Sequence, residues 1–197
     1  MKAKGDIGVT MAIAPTSGGL GYIAFEEPGL AIDGGVKEVR GNKMRDFVLK
    51  TRVLMHMLQP AVLILEDAHH PSSRRSKRVQ RLIDSVAAEA KQRGIAVARY
   101  SRAQLLTVFG QTGARSKDDI AGVVSELVPE LAPRLPPRRR IWESQHHSMA
   151  IFEAAALALT HFAIGGAEGL PPGVPPVLQG GASATTQGGM NAQGSLA

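Results

Sequence analysis

The heptapeptide AVLILED, residues 61–67, decides the fold because an uninterrupted apolar run leads directly into two acids. An apolar run of this length, placed directly after the helix-ending Pro60, is typical of a parallel strand that is buried on both faces. In crossover sheets, ligands collect outside the carboxyl ends of parallel strands, so Glu66 and Asp67 are predicted at a ligand-binding edge. The alternative is that the two acids only begin a solvated loop.

The segments around this run predict an α/β domain. Three apolar segments at 6–14, 20–25 and 31–39 are separated by short turns rich in Gly and Pro, which predicts an antiparallel meander. Gly34 and Gly35 suggest a bend or bulge in the third strand. The remaining predicted elements are helices at 47–58, 73–93, 102–109, 117–128 and 145–163 and a strand at 95–100. The order β-β-β-α-β-α-β, followed by helices, predicts a mixed five-stranded sheet with helices on both faces.

Composition limits the class of protein. The chain contains no cysteine, which excludes disulfides and thiolate metal sites and fits a reducing, cytoplasmic location. No apolar run is long enough to span a membrane, and the short apolar stretch at 7–14 is better explained by a strand than by a signal peptide. Residues 165–197 hold nine glycines, four prolines and one charge, which predicts a flexible tail behind a folded domain at 1–164.

Positive charge is concentrated in one segment of a chain with 23 Lys and Arg against 17 Asp and Glu. Between residues 69 and 81 every Lys, Arg, Asp or Glu is a Lys or Arg, with no acid among them. Further cations could extend this basic path. The first group is Arg74, Arg75, Lys77, Arg78 and Arg81; the second is Arg102, Arg115, Lys117 and residues 138–140. Such a patch beside two acids predicts contact with a nucleic-acid backbone, whereas an ordinary solvated helix face would mix charge signs. Aromatic residues are scarce, so extensive base stacking is not expected, and Trp142 is predicted to pack in the core rather than to act as a wedge.

The last predicted helix carries a carboxylate within an apolar stretch. Glu153 interrupts the run MAIFEAAALAL, residues 149–159. A carboxylate in an Ala-rich, closely packed helix is costly without a partner, which favours a functional role over a helix edge that faces water. His146 and His147 precede this helix, with Ser144 as its candidate N-cap. Either histidine could bind metal, donate a proton or orient a water, although paired exposed histidines at a helix start are commonly ordinary surface residues.

Four pieces of the sequence, in order, resemble RuvC-type Holliday-junction resolvases of the ribonuclease H-like superfamily. The first hairpin TMAIAPTSGGLGY at 10–22 is similar to that family's first strand and Gly-rich turn, and VLILE at 62–66 to its second acidic strand. The segments YSRAQLL at 100–106 and GQTGARSK at 110–117 resemble its basic segment and following lysine. AAALALTH at 154–161 is similar to its closing helix. The resemblance covers about 6–163.

The resemblance implies a nuclease in which carboxylates hold two Mg²⁺ or Mn²⁺ ions that activate water and stabilise the leaving oxygen of a phosphodiester. Glu66 and Glu153 would be metal ligands. Ala14, however, stands where the family has the aspartate that bridges both metals, and Ala150 also lacks the usual acid or histidine. His146 or His147 could replace the latter, and Asp67 could substitute in part.

Without the bridging carboxylate, the chain is expected to be a poor catalyst, since Mg²⁺ demands near-octahedral oxygen coordination. Two explanations fit: a deliberate inactivation of a metal-dependent, structure-selective endonuclease, which the intact surroundings of Ala14 favour, or a natural non-catalytic relative that binds nucleic acid. The resemblance implies DNA, branched in particular, rather than RNA, no membrane partner, and a homodimer. A third interpretation, an ATP-binding fold of the actin and sugar-kinase type, requires two lobes, for which the chain looks too short.

Overall fold

The computed structural model describes residues 8–138, 142 and 146–165, and its centre is a five-stranded mixed sheet. Its strands lie in the order β3-β2-β1-β4-β5. Strands β1 to β3 form the antiparallel meander, while β4 pairs in parallel with both β1 and β5. The strands are β1 (Thr10–Pro15), β2 (Gly19–Glu27), β3 (Leu30–Glu38), β4 (Val62–Glu66) and β5 (Ala96–Tyr100). The predicted α/β class and mixed sheet are confirmed.

Five α-helices in the described part of the chain lie on the two faces of this sheet. They are α1 (Lys43–Leu58), α2 (Lys77–Gln92), α3 (Arg102–Gly110), α4 (Lys117–Leu127) and α5 (Met149–Gly165), and a short 3₁₀ helix spans Pro129–Arg134. The side chains of Asn42, Ser76, Ser101 and Ser116 each accept a hydrogen bond from a backbone N–H in the first turn of α1 to α4. These caps satisfy donors that would otherwise lack an intrahelical partner, and they set where each helix begins.

Alternation along the inner strands divides the core into two layers. Ala12 and Ala14 of β1 face the layer that contains α5 and α4, whereas Met11 and Ile13 face the layer that contains α1 and α2. Helix α5 is buried nearly all round because the sheet covers one side and α4 packs on another. This helix brings Glu153 into the domain.

Two glycines permit close packing against α5. A Cβ on Gly21 would lie 2.2 Å from the backbone carbonyl of Ala150, so only glycine fits there. A Cβ on Gly34 would lie 3.1 Å from the Cδ1 of Ile151. The prediction of a bulge at Gly34 and Gly35 is wrong: Gly34 stays in register with Ile23, and the irregularity lies around Phe25 of β2.

Several predicted boundaries need correction. Helix α2 begins at Lys77 rather than at residue 73, because Ser76 caps it. Helix α5 begins at Met149 rather than at 145 and includes Gly165, which the sequence analysis placed in the tail. Trp142 is 79% exposed, so its assignment to the core is wrong. The candidate cap Ser144 and the tail beyond Gly165 lie outside the described residues. None of the described helices has the length and apolar character needed to cross a bilayer.

Candidate nucleic-acid interface

Parallel pairing of β1 and β4 places position 14 beside Glu66. Ala12 lies opposite Ile64 in the ladder, and continuing this register by two residues brings Ala14 opposite Glu66 at the carboxyl ends of both strands. Both residues line a cleft of about 850 Å³. The Ala14 side chain is buried, and the Glu66 side chain is 16% exposed. The predicted ligand-binding edge of the sheet is therefore an open cleft.

Glu153 of α5 enters the same cleft and approaches Glu66 through a shared arginine. Arg75, in the loop before α2, donates from Nε to the Oε2 of Glu66 at 2.7 Å, and its Nη2 lies 2.6 Å from the same oxygen. The Nη2 also donates to the Oε2 of Glu153 at 3.4 Å. Two carboxylates that are 87 residues apart in the chain thus converge on one guanidinium.

A second cation completes this arrangement. Lys117, the first residue of α4, donates from Nζ to the Oε1 of Glu153 at 2.6 Å. Burial opposes the charged form of Arg75, but the hydrogen bond and charge of Glu66, together with Glu153, outweigh burial and raise the pKa of Arg75 above its usual value. Glu66, Arg75, Glu153 and Lys117 form a charge tetrad in which the formal charges cancel.

Some of the predicted basic residues line the cleft, and others are exposed on segments that adjoin it in the chain. Arg74 and Arg102 line the cleft with Arg75 and Lys117, and Arg115 is exposed just before α4. Lys77, Arg78 and Arg81 are exposed on the first turns of α2, which starts directly after the cleft-lining segment 72–75. Because exposed cations at the mouth of a cleft attract polyanions, this surface can hold a phosphate backbone.

No protein-family model matches the sequence, and no curated protein sequence matches it. Solved structures, however, are similar. The structure of Thermus thermophilus RuvC aligns with a TM-score of 0.56 at 20% identity, covering 78% of this chain and 92% of that chain. The structure of T. thermophilus RuvC in complex with Holliday junction substrate aligns with a TM-score of 0.57 at 18% identity, with the same coverage. The chain has the ribonuclease H-like fold of RuvC. The fold expected from the resemblance is confirmed.

The described residues of the cleft do not fit a metal centre. Nowhere in 8–138, 142 and 146–165 do three or more His, Cys, Asp or Glu side chains gather as metal ligands would. Glu66 and Glu153 already bind cations of the protein itself. A Mg²⁺ or Mn²⁺ ion prefers several oxygen ligands, and position 14 supplies only a methyl group.

The residues that the sequence offered as further ligands, Asp67, His146 and His147, lie outside the cleft. Asp67 follows β4 and accepts a hydrogen bond from the backbone N–H of His69 at 3.2 Å. His146 and His147 are exposed, and the Nδ1 of His146 pairs with the Oγ of Ser148 at 2.7 Å. None of Asp67, His146 and His147 contributes to the cleft wall. The structure therefore brings together Ala14, Glu66 and Glu153, but not these three.

Two polar contacts among the described residues were not predicted from the sequence. The hydroxyl of Tyr100, at the end of β5, hydrogen-bonds with the Nδ1 of His161 at 2.8 Å, and burial raises the pKa of Tyr100 and lowers that of His161. Asp84 of α2 pairs with both His69 and Arg99. His161 is the last residue of the segment AAALALTH, which resembles the closing helix of RuvC-type resolvases. No other feature of the sequence pointed to His161.

Proposed function

We propose that the protein binds nucleic acid, branched DNA in the first place, in the cleft and along the basic start of α2, and that it does not cut it. The observation that carries this proposal is Arg75 between Glu66 and Glu153. The site keeps the acids that the RuvC resemblance assigns to metal, yet it neutralises them with cations of the chain. This is the natural non-catalytic relative considered in the sequence analysis.

Charge and exposure support binding. The chain has a formal net charge of +6, and four cationic and three acidic side chains line the cleft. The cations outside the tetrad, from Arg74 to Arg81, are exposed and have no acid among them in sequence. Neutralising phosphates with such side chains releases counterions, which drives binding at low salt.

The solved relatives suggest the ligand. One of the similar RuvC structures holds a Holliday junction substrate, so a four-way DNA junction is the first ligand to test. A symmetric junction offers two equivalent positions, which favours a homodimer of this chain as the binding form. The proposal includes a preference for DNA over RNA, a homodimer and a cytoplasmic location. The location is proposed because a cysteine-free, basic chain suits a reducing compartment that contains nucleic acid.

The binding test compares a four-way junction with a duplex of equal length by fluorescence anisotropy, in EDTA and over a salt series. We expect tighter binding of the junction and a steep loss of affinity with salt. The triple variant Arg74→Ala, Arg78→Ala, Arg81→Ala should bind more weakly and with a slope reduced by about 2 to 3, since each phosphate contact contributes about 0.9. Arg45→Ala, which removes an exposed arginine of α1, is the matched control. Unchanged binding by the triple variant would refute the proposed interface.

A metal-dependent endonuclease that lacks one acid is the second candidate. It is favoured by the convergence of Ala14, Glu66 and Glu153 in one cleft. The variant Ala14→Asp should then cleave junction DNA when Mg²⁺ or Mn²⁺ is added, and a further Glu66→Ala should abolish cleavage. If Ala14→Asp folds, binds the junction and leaves it intact with either ion, the endonuclease candidate fails and the binding proposal stands.

A further inference from the structure

The disagreement between the tetrad and a metal centre leads to a more specific assignment, which rests on the proposed function. We infer that Arg75 and Lys117, held in place by Glu66 and Glu153, form a phosphate-binding site that needs no divalent ion. The site would take one phosphodiester group of a nucleic-acid backbone, at the place where the RuvC resemblance puts metal ions.

The two cations of the tetrad are more exposed than its two acids. The carboxylates of Glu66 and Glu153 are 16% exposed, whereas Arg75 is 28% exposed and Lys117 is 40% exposed. The cations are therefore more accessible than the acids to an anion that enters the cleft. Glu66 and Glu153 hold the two cationic groups through the bonds described above.

Arg75 and Lys117 each have more hydrogen-bond donors than their bonds to Glu66 and Glu153 use. Arg75 uses its Nε and Nη2 on Glu66 and Glu153, which leaves Nη1 for a ligand. Lys117 gives one of its three N–H donors to Glu153. A tetrahedral phosphate accepts several charge-assisted hydrogen bonds, and guanidinium groups match its geometry.

The two cations come from separate parts of the chain, and each is held by a carboxylate of a buried strand or helix. Arg75 lies in the loop before α2, and Lys117 begins α4, where Ser116 caps the helix. Glu66 ends the central strand β4, and Glu153 lies in the buried helix α5. Cations held by such elements lose less conformational entropy on binding than free surface side chains do.

The test measures binding of the four-way junction and binding of Mn²⁺ to the intact chain. At matched ionic strength, junction affinity in millimolar Mn²⁺ should not exceed the affinity in EDTA, because the added cation competes for the phosphates. Electron paramagnetic resonance of Mn²⁺ alone should show no stoichiometric binding by the unmodified chain. Mn²⁺-dependent junction binding, or one tightly bound Mn²⁺ per chain, would overturn the inference.

Variants of the cations supply the second half of the test. Arg75→Lys and Lys117→Ala should each weaken junction binding by about tenfold, as expected for loss of a positioned charge-assisted contact. The double variant Arg75→Ala, Lys117→Ala should gain Mn²⁺ binding, because these two cations no longer occupy the carboxylates of Glu66 and Glu153. Arg74→Ala, which leaves the tetrad intact, is the matched control and should gain none.

The outcomes separate this inference from the proposed function. If Arg75→Lys and Lys117→Ala bind the junction as tightly as the unmodified chain, the phosphate site is wrong, while binding through the start of α2 stands. If the unmodified chain binds neither junction nor duplex, the proposed function fails as well. Circular dichroism of each variant shows whether it is folded, and the exposed Lys117→Ala alone decides the case should the Arg75 variants not fold.

Discussion

The substitution Gly21→Ala tests how the fold positions the site. Gly21 lies in β2 opposite Ala14, and a Cβ there would stand 2.2 Å from both the carbonyl carbon and the carbonyl oxygen of Ala150. Ordinary van der Waals contact begins near 3.4 Å, so β2 and α5 must separate by more than 1 Å. The neighbour is helix backbone rather than a flexible side chain, and it therefore cannot yield without moving α5.

The magnitude follows from two opposing effects. Overpacking a close-packed site costs about 1–3 kcal/mol, and a clash with backbone belongs at the upper end. Replacing a strand glycine by alanine returns about 0.5–1 kcal/mol of chain entropy. The clash wins, leaving a net loss of about 2 kcal/mol, which lowers Tm by about 4–8 °C in a domain of this size. Junction affinity should fall too, because α5 carries Glu153.

Gly122→Ala is the matched control for this experiment. Gly122 lies in α4, and nothing comes within 4 Å of an added Cβ. The same change should therefore raise stability by about 0.5–1 kcal/mol and Tm by about 1–4 °C. Thermal unfolding followed by circular dichroism measures both variants. A Gly21→Ala protein with the Tm of the unmodified chain, or a higher one, would refute the close approach of α5 to β2.

Three further perturbations follow from the described contacts. Burial lowers the pKa of His161 from 6.5, so the unfolded chain binds more protons than the folded chain at acidic pH. Tm should therefore fall on acidification from pH 7 to 5.5, and His161→Gln should reduce this fall. The variant Ala14→Asp adds a buried carboxylate beside Glu66, so Tm should fall by several degrees in EDTA. A higher Tm of this variant in Mn²⁺ than in EDTA would favour the endonuclease candidate, and an unchanged Tm would count against it. Ser101→Ala removes the capping box of α3 and should cost about 1 kcal/mol in urea denaturation, whereas Thr107→Ala on the exposed face of α3 should cost less.

The sequence contained enough information to predict the sheet and the position of its acidic edge. The apolar run 61–65 directly after Pro60 is typical of a buried strand, and the order of strands and helices around it restricts the topology. The choice between Glu66 and Asp67 could also have been made in advance. Side chains alternate along a strand, so Glu66 shares the face of Ile64, which packs toward α5, while Asp67 belongs to the turn.

The partner of these acids could not be predicted from the sequence. Arg75 has four flexible side-chain torsions before its guanidinium, and its contact with Glu153 joins residues 78 apart. That contact depends on how α5 packs against β4, which rests on the space left by Gly21. In the sequence, Arg75 looks the same as Arg74, its neighbour in the basic run. Trp142 shows the same limit, since an isolated tryptophan is usually buried but this one is 79% exposed.

The residue at position 14 determines the charge of the site and thereby what the site can bind. With alanine there, the two carboxylates of the tetrad pair with its two cations. An aspartate at the same position would add one negative charge within a strand spacing of Glu66, about 4.8 Å away, and the two cations could no longer balance three acids. A divalent ion would then be favoured over Arg75 as the group that neutralises them. In the proposed phosphate site, the methyl group of Ala14 thus stands in place of a third carboxylate, and Arg75 and Lys117 supply the positive charge.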